Sequence, residues 1–356
     1  MEDKVYLQID GKRIENFLSY EVEADLYQAA DKFTLELANP GTAIRAGMTC
    51  ELYVNKELEL TGIIDATRKG WSKQGQTLVV EGRDLLGVVV DSYVEKFTTV
   101  QGKTVKELAE LLLASVPFIN RKEIIYQENV VGKLKGKKKT VDNPMTGFLD
   151  TPQKLSQAEP GMTVFEVLSI YAASRGLMFF GLPDGPLVFG RPKAKGQPLY
   201  TIINALSGVG NNVTSGDEVD DISRRYSKIT VISQVQGHDE DGQDTSKLDA
   251  RASVTDASFP FYKPFVTRLN NDSQSPELHA RMLLEKQRHD GLQLAYTAPG
   301  HSQGGVNFKL NELVQVKDEM LERDGIFLIY NRKFKRSKQA GTTTELRLGP
   351  PGLVSA

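Results

Sequence analysis

The sequence predicts an α+β protein in which antiparallel β-strands predominate. Two similar small β-barrel modules are expected, one at each end of the chain, together with a mixed α/β unit between them. Three observations carry this prediction. Apolar and polar residues alternate over residues 1–97 and again from residue 292 onward, helical periods appear between these regions, and the two alternating regions share one layout.

Residues 1–97 are predicted to form the N-terminal β-barrel module. Short runs with a period of two are separated by turn residues such as Asn39-Pro40-Gly41 and Lys73-Gln74-Gly75. This spacing is typical of half-buried antiparallel strands in a small barrel or sandwich. The alternating apolar positions are Val5, Leu7, Ile9, Phe33, Leu35, Leu37, Cys50, Leu52, Val54, Leu58, Leu60, Leu78 and Val80.

Residues 98–200 are predicted to form a mixed α/β domain with two amphipathic helices. Thr104 with Glu107, and Thr163 with Glu166, have the spacing of a capping box. Each pair is followed by apolar residues at helical spacing. The two apolar faces consist of Val105, Leu108, Leu111 and Leu112, and of Val164, Val167, Leu168 and Tyr171.

A hairpin and an exposed insertion complete this domain. Gly176 is placed to end the second helix, and the Pro-Asp-Gly turn at 183–185 predicts a β-hairpin between residues 177 and 189. Residues 130–160 lack periodicity and contain the lysine run 133–139. A connection this long and irregular indicates an exposed basic insertion.

The last part of the chain is predicted to return to β structure. Residues 201–270 are expected to be a β segment and linker, with a strand around Ile229 and Val231. Residues 271–356 are expected to contain a helix and the C-terminal β module. Ser275-Pro276 is typical of a helix start, and Gly291 of its end.

The two β regions have a common layout. Residues 50–81 consist of a strand, a second strand led by Gly62, a basic turn and a closing strand; residues 313–348 repeat this order around Gly325. Short strands with glycine turns can resemble one another by coincidence, so the pattern leaves duplication open. A true repeat would give each subunit two similar modules and would impose symmetry on an assembly.

The composition is that of an ordinary globular protein without a strong charge bias. Lys and Arg number 44 and Asp and Glu number 46 among 356 residues, with 40% hydrophobic residues. This balance does not favour a nucleic-acid or membrane-surface partner. A single cysteine excludes an intrachain disulfide, and the acidic N-terminus has no signal-peptide pattern, so assembly in the cytoplasm is expected.

The four histidines, His238, His279, His289 and His301, do not form a zinc-peptidase motif. We therefore expect them to be solvated surface residues. Cys50 lies in an alternating strand, which favours packing over a Cys–His nucleophile. Paired carboxylates for glycoside hydrolysis remain open, but no local motif singles out two of the acids.

Two further motifs are weak. The segment Asp239-Glu240-Asp241-Gly242-Gln243-Asp244 lacks the ligand spacing of a calcium loop, and a polar turn is favoured. The segment Gly208-Val209-Gly210 lacks the third glycine of a dinucleotide fingerprint and is expected to be a loop. We thus predict no catalytic, cofactor-binding or metal-binding residues.

Two segments are candidates for interfaces. The lysine run 133–139 could meet acidic protein or passing DNA, although a solvated loop is favoured. The cluster from Phe259 to Phe265 contains four aromatic residues and two prolines, which is too apolar for a simple exposed loop. Core packing and subunit contact are equally compatible with it.

Taken in order, several segments resemble the baseplate hub proteins of Mu-like contractile-tailed phages and prophages. They are residues 24–35, 44–48, 60–62, 80–84, 161–192, 311–316 and 325–329. The resemblance extends over nearly the whole chain, although the lysine run has no counterpart that can be placed.

The resemblance implies a phage tail hub-like fold and a non-enzymatic structural role. Such hubs are homotrimers whose two β modules per subunit form a pseudo-sixfold ring. The ring joins the tail tube protein to the central spike protein, and DNA only passes through its channel. The implied location is the virion tail baseplate, assembled in the bacterial host cytoplasm without direct membrane anchoring.

Three alternatives remain open at the level of sequence. The hub of a phage-derived bacteriocin or injection device would have the same features. A tail-associated cell-wall hydrolase would digest peptidoglycan through a carboxylate. A monomeric glycan-binding module would bind sugars and would not form a ring.

Overall fold

The structure, a computed structural model, confirms an α+β fold dominated by antiparallel strands. The residues that it describes are 3–38, 41, 43–73, 75–100, 103–120, 124–126, 157–174, 176–234, 249–269 and 276–352. The lysine run 133–139, most of the basic insertion and the acidic segment 239–244 lie outside these residues.

The strands are β1 (Val5–Ile9), β2 (Lys12–Ile14), β3 (Phe17–Asp25), β4 (Lys32–Ala38), β5 (Thr49–Val54), β6 (Glu57–Ser72), β7 (Gly75–Asp84), β8 (Thr98–Thr99), β9 (Ile125–Tyr126), β10 (Gln157–Ala158), β11 (Met178–Gly181), β12 (Leu187–Gly190), β13 (Tyr200–Asn204), β14 (Ser215–Asp220), β15 (Lys228–Gln234), β16 (Asp249–Thr255), β17 (Pro264–Leu269), β18 (Leu292–Pro299), β19 (Ser302–Gln303), β20 (Val306–Asn307), β21 (Leu313–Asp318), β22 (Arg323–Ser337) and β23 (Gly341–Gly349). The helices are α1 (Leu86–Asp91), α2 (Val105–Leu112), α3 (Val164–Ser174) and α4 (Pro276–Gly291).

One sheet of 13 strands organises most of the molecule. Its strands follow the order β14, β18, β23, β22, β3, β4, β7, β6, β5, β1, β2, while β21 pairs with β22 and β13 pairs with β21. Every pairing in this sheet is antiparallel except that of β13 with β21. The alternation in the sequence therefore corresponds to half-buried antiparallel strands.

The two halves of this sheet repeat one strand order. In the first half β5, β6, β7, β4 and β3 are successive neighbours, and in the second half β21, β22, β23, β18 and β14 are. Both long strands, β6 and β22, carry a register shift against the closing strand and end in a hairpin. The matching positions are the shifts at Ile64/Ala66 and Ile329/Asn331 and the last pairs Ser72↔Gly75 and Ser337↔Gly341. The common layout expected from the sequence is thus present.

The two separate β-barrel modules are not confirmed. Among the described residues the main sheet ends at β2, β13 and β14, and β3 and β22 join its halves edge to edge. Period-two alternation determines which face of a strand is buried, but barrel closure also depends on strand tilt and stagger. One hydrophobic core accordingly serves both halves and includes Leu35 and Leu78 as well as Ile329 and Leu346.

The central region contains both predicted helices and the hairpin. Thr104 Oγ1 accepts a hydrogen bond from Glu107 N at 3.1 Å, and Glu107 Oε2 accepts one from Thr104 N at 2.8 Å; Thr163 and Glu166 make the same pair. Strands β11 and β12 form the expected antiparallel hairpin. Together with α1, these elements enclose a second core.

The apolar face of α2 differs by one residue from the expectation. Leu111 is 45% exposed, whereas Ala109 is fully buried. The face from Val105 through Leu108 to Leu112 is buried as predicted. Leu111 lies next to this stripe in sequence, but a step of one residue turns it about 100° away around the helix.

A small sheet lies beside helix α4. Strand β15 pairs antiparallel with β16 and parallel with β17. Ala280 and Leu284 of α4 pack with Ile229, Val231 and Leu269 of this sheet. The helix begins at Pro276 and ends at Gly291, as its sequence signals predict.

Candidate assembly interface

The junction between the two halves of the main sheet is the pairing of β3 with β22. Their register runs antiparallel over six residue pairs. At the centre Val22 lies opposite Phe334, and these side chains are 1% and 0% exposed. The Phe334 ring also packs against His301, with the ring centroids 4.4 Å apart. An apolar and fully buried centre therefore holds the two halves together.

The rim of this junction carries complementary charges. Lys333 Nζ lies 2.9 Å from Glu21 Oε1 and 3.3 Å from Glu23 Oε2, and Asn331 Nδ2 donates to Glu23 Oε1 at 3.1 Å. Burial acts to raise the pKa of Glu23, but the hydrogen bond from Asn331 and the charges of Lys32 and Lys333 lower it overall. An acidic strand thus faces a basic one, which stabilises this register.

A buried ion pair lies beside the junction, at the wall of a cavity of about 480 Å³. Arg332 Nη1 is 2.5 Å from Glu59 Oε2, and the two side chains are 3% and 5% exposed. The same nitrogen donates to the carbonyl oxygen of Phe308 at 3.1 Å. A pair this deeply buried strongly favours the strand arrangement in which both charges meet.

Two carboxyl groups, Asp31 and Asp84, also line this cavity. Burial raises the pKa of Asp31 to about 7, and burial together with the charge of Asp31 raises that of Asp84. Asp31 Oδ1 accepts a hydrogen bond from Asp25 N at 3.0 Å, and Asp84 Oδ1 accepts one from Gly87 N at 3.3 Å. The sequence did not single out this pair, because its members meet only through the pairing of β4 with β7.

Strand β14, which corresponds to β3 in the repeated order, lies at an open edge of the sheet. Its sequence is Ser-Gly-Asp-Glu-Val-Asp, and five of its six residues are exposed. It pairs with β18 on one side, and no described strand covers its other side. Arg323 binds Glu218 and Asp220, but Asp217 makes no ion pair with a described residue. The open edge is therefore acidic.

The outer half of β6, which corresponds to the outer half of β22, is open in the same way. Strand β5 covers β6 only as far as Ile63, and β7 pairs along its other side. Beyond this point Arg68 and Lys69 are exposed and form no ion pair with a described residue. Trp71, near the hairpin end, is 87% exposed. We call residues 66–72 the β6 arm; it is basic and carries an exposed aromatic ring.

The expectation of surface histidines is wrong for two of the four. His289 is 5% exposed and His301 is fully buried. His301 Nε2 lies 2.7 Å from the hydroxyl of Tyr20, and its Nδ1 lies 3.1 Å from Thr344 Oγ1. Burial lowers the pKa of His301 to about 4, so it packs as a neutral ring. The sequence gives no periodic signal that separates such a histidine from a solvated one.

The other candidate residues occupy structural positions. Cys50 is 3% exposed and packs in the main core, as predicted. Gly208 and Gly210 lie in a loop with φ of 74° and 79°. His279 is half-buried on α4, and His238 lies outside the described residues. Within the described ranges, no three His, Cys, Asp or Glu side chains are arranged to hold a metal ion.

The aromatic cluster at 259–265 divides between core and surface. Phe259 is 9% exposed and packs edge-on against Phe261, with ring centroids 4.9 Å apart. Phe261 and Tyr262 are 57% and 74% exposed. Core packing therefore applies to Phe259, and subunit contact stays a prediction for the exposed residues.

No helix in the described part of the chain has both the length and the apolar character needed to cross a lipid bilayer.

Family models match both ends of the chain. Residues 4–84 match the N-terminal domain of Mu phage baseplate assembly proteins of the GpP-like type, and residues 286–352 match the C-terminal domain of a tail protein. The first match contains β1 to β7 and the second contains β18 to β23. Each match therefore contains most of one half of the repeated sheet.

Individual proteins are similar over most of the chain. The baseplate hub protein gp44 of Escherichia phage Mu is 23% identical over 306 residues, which cover 84% of this chain and 74% of the phage protein. The crystal structure of a tail protein from Neisseria meningitidis MC58 has 27% identity and a TM-score of 0.79, covering 98% of this chain and 97% of its own.

Two more distant structures share the fold. The 43 kDa tail protein of prophage MuSo2 from Shewanella oneidensis has 20% identity and a TM-score of 0.74, covering 98% of this chain and 99% of its own. The c3393 protein of E. coli, a component of the type VI secretion system, has 10% identity and a TM-score of 0.60, covering 97% of this chain and 76% of its own. The chain is thus similar to Mu-like baseplate hub and tail proteins along nearly its whole length.

Proposed function

We propose that this chain, a baseplate hub or tail protein similar to those of Mu-like phages, is the structural hub of a contractile tail. Three copies form a ring with pseudo-sixfold symmetry, because each copy contributes two halves with the same strand order. The ring joins the sixfold tail tube to the threefold central spike. That repeated strand order is the observation that carries the proposal.

The proposed mechanism is mechanical and non-enzymatic, with no cofactor or metal. The buried centre at Val22 and Phe334 fixes one half of each subunit against the other. A ring of six similar surfaces can then meet the tube, while the three subunits meet the spike. DNA only passes through the axial channel, and the ring assembles in the bacterial host cytoplasm before it joins the virion tail.

Absolute mass in solution tests the trimer. Light scattering is expected to give about three times the subunit mass of 39.4 kDa, and averaged electron micrographs are expected to show a ring with six similar lobes. A monomer at every concentration tested, also in the presence of tube and spike proteins, would contradict the proposal.

The hub of a phage-derived bacteriocin or injection device would have the same ring. The similarity to a type VI secretion component concerns the fold alone and does not separate these cases. Purified particles distinguish them, because a phage hub is expected in tails joined to DNA-filled heads and a bacteriocin hub in headless tails.

For a cell-wall hydrolase, the cavity carboxyls Asp31 and Asp84 are the candidate acid–base pair, because their pKa values are raised. We expect no release of soluble fragments from purified peptidoglycan. Fragment release by the parent protein that disappears in Asp84→Asn, with the fold retained by circular dichroism, would instead establish hydrolysis.

A further inference from the structure

The repeated sheet gives each residue of the occupied junction a counterpart in the other half. The β7 ladder on β6 and the β23 ladder on β22 both continue for seven pairs after the register shift. Counting from that shift, Arg68 corresponds to Lys333 and Lys69 to Phe334. The pairings lead on from β7 through β4 to β3 in one half, and from β23 through β18 to β14 in the other. By these pairings Asp217 of β14 corresponds to Glu21 of β3.

We propose that β14 of one subunit pairs antiparallel with the β6 arm of the next subunit. This contact would repeat between chains the pairing that β3 and β22 make within one chain. This pairing rests on the proposed ring, and it identifies the two strand edges through which neighbouring subunits close that ring. The occupant of each open edge is thus a second copy of this chain.

The register follows from the intrachain junction. There Lys333 lies opposite Glu23, and Phe334 lies opposite Val22. The corresponding interchain pairs are Arg68 opposite Val219 and Lys69 opposite Glu218. In this alignment each residue of the β6 arm from 66 to 71 has one partner in residues 216–221.

Charge complementarity supports this register. Within the chain, Lys333 reaches diagonally to Glu21 at 2.9 Å. The same diagonal between chains places Arg68 beside Asp217, and both lack an ion pair with any described residue. Lys69 faces Glu218, whose carboxylate already binds Arg323 at 2.6 Å and can accept a second cation. The basic arm therefore fits the acidic edge.

The proposed register also gives the exposed side chain of Trp71 a partner. In this register Trp71 lies opposite Gly216, which has no side chain on either face. A Cβ atom at Gly216 would come within 2.9 Å of the Tyr296 ring, so a larger residue would displace that ring. An aromatic side chain across from an edge glycine covers the gap that the glycine leaves. Trp71 would lose most of its present 87% exposure.

An open acidic strand and an open basic arm on one chain make a head-to-tail contact. Such a contact closes into a ring when the rotation between copies is right, and it removes both exposed edges. The two edges lie in opposite halves of the sheet, so every subunit offers one of each.

Engineered disulfides test the register. The variant Arg68→Cys/Val219→Cys places two thiols opposite each other only across the proposed contact. After mild oxidation, we expect most chains to migrate as covalent dimers and trimers on a non-reducing gel. The matched control Arg68→Cys/Glu218→Cys moves one thiol to the opposite face of its strand and is expected to remain uncrosslinked. Cys50 is buried and present in both.

Charge reversal gives a second test. Arg68→Asp or Asp217→Arg alone is expected to weaken association about fivefold per contact. The double variant Arg68→Asp/Asp217→Arg is expected to recover most of this loss. Sedimentation over a range of protein concentrations measures both.

The outcomes separate this pairing from the ring itself. A trimer by mass in which both cysteine variants stay uncrosslinked, or crosslink equally, overturns the pairing and leaves the ring intact. A ladder of crosslinked species beyond the trimer supports the pairing and contradicts the closed ring. A monomer that does not crosslink contradicts both.

Discussion

The junction of β3 with β22 and its open counterpart, the β14 edge and the β6 arm, share a strand order but differ in their contents. The occupied junction has a buried pair, Val22 and Phe334, at its centre, whereas Lys69 and Glu218 hold those positions in the open one. An apolar centre suits a contact that forms once as the chain folds. Charged residues suit a surface that stays soluble until a second subunit arrives.

Removing the aromatic centre should have the largest effect on stability. Phe334→Ala deletes a fully buried ring and is expected to lower the free energy of unfolding by about 4 kcal/mol. Lys69→Ala at the corresponding exposed position is the matched control, expected to change it by less than about 0.5 kcal/mol. Urea unfolding followed by circular dichroism measures both. Equal effects of the two substitutions would contradict the difference in burial between Phe334 and Lys69.

Breaking the buried ion pair should come next. Arg332→Met leaves the Glu59 carboxylate buried without its cation and is expected to cost about 3 kcal/mol. The double variant Arg332→Met/Glu59→Leu removes both charges and is expected to regain part of that loss. Two apolar side chains need no partner, but Asn307 Nδ2 loses its hydrogen bond to Glu59 Oε1. The same unfolding measurement applies. A double variant no more stable than Arg332→Met would show that the pair contributes beyond its charge balance.

The carboxyl group of Asp31 should make stability depend on pH near the occupied junction. Its pKa is about 7 in the folded protein against an ordinary value of 3.8. Between these values this carboxyl holds a proton in the folded chain that it has lost in the unfolded chain. Its contribution to stability therefore falls as pH rises, by at most about 1.4 kcal/mol per pH unit.

Asp31→Asn cannot titrate, so its stability relative to the parent should increase from pH 4 to pH 7 and then level off. Thermal unfolding in a pH series measures the difference, and Asp217→Asn on the exposed edge serves as the control. A difference that is constant over this range would refute a raised pKa.

The smallest effect is expected at the charged rims. Lys333→Ala loses its ion pairs with Glu21 and with Glu23, whose side chains are 44% and 11% exposed, and should cost about 1 kcal/mol of folding stability. Arg68→Ala, at the corresponding open position, should leave the stability of the monomer unchanged and weaken only association. Unfolding at low concentration and sedimentation at high concentration separate the two. Loss of monomer stability in Arg68→Ala would contradict the equivalence.

Local signals predicted the secondary structure well. Alternation placed many of the strands, and the capping boxes at Thr104 and Thr163 placed two helix starts, because these features depend on neighbours within a few residues. Strand β3 and helix α1 were not singled out. The ordered resemblance to Mu-like hubs is in agreement with the family matches at both ends. The candidate interface was visible only as a shared layout around Gly62 and Gly325.

Long-range features could not be predicted from these signals. Burial of His301 depends on Tyr20 and Thr344, which lie far from it in sequence, and the Asp31–Asp84 pair depends on the pairing of β4 with β7. Histidine and aspartate are chemically suited to both core and surface, so composition alone cannot assign them.

By itself, the sequence predicted three helices, many of the strands, the common layout of the two β regions and the class of protein, because alternation, caps and ordered motifs are written in consecutive residues. Only the tertiary structure decided that one sheet joins the two halves, that β3 is covered while β14 is open, and that Phe334 is buried while Lys69 is exposed. Strand pairing between distant segments selects these outcomes, since the same alternating pattern is compatible with many neighbours.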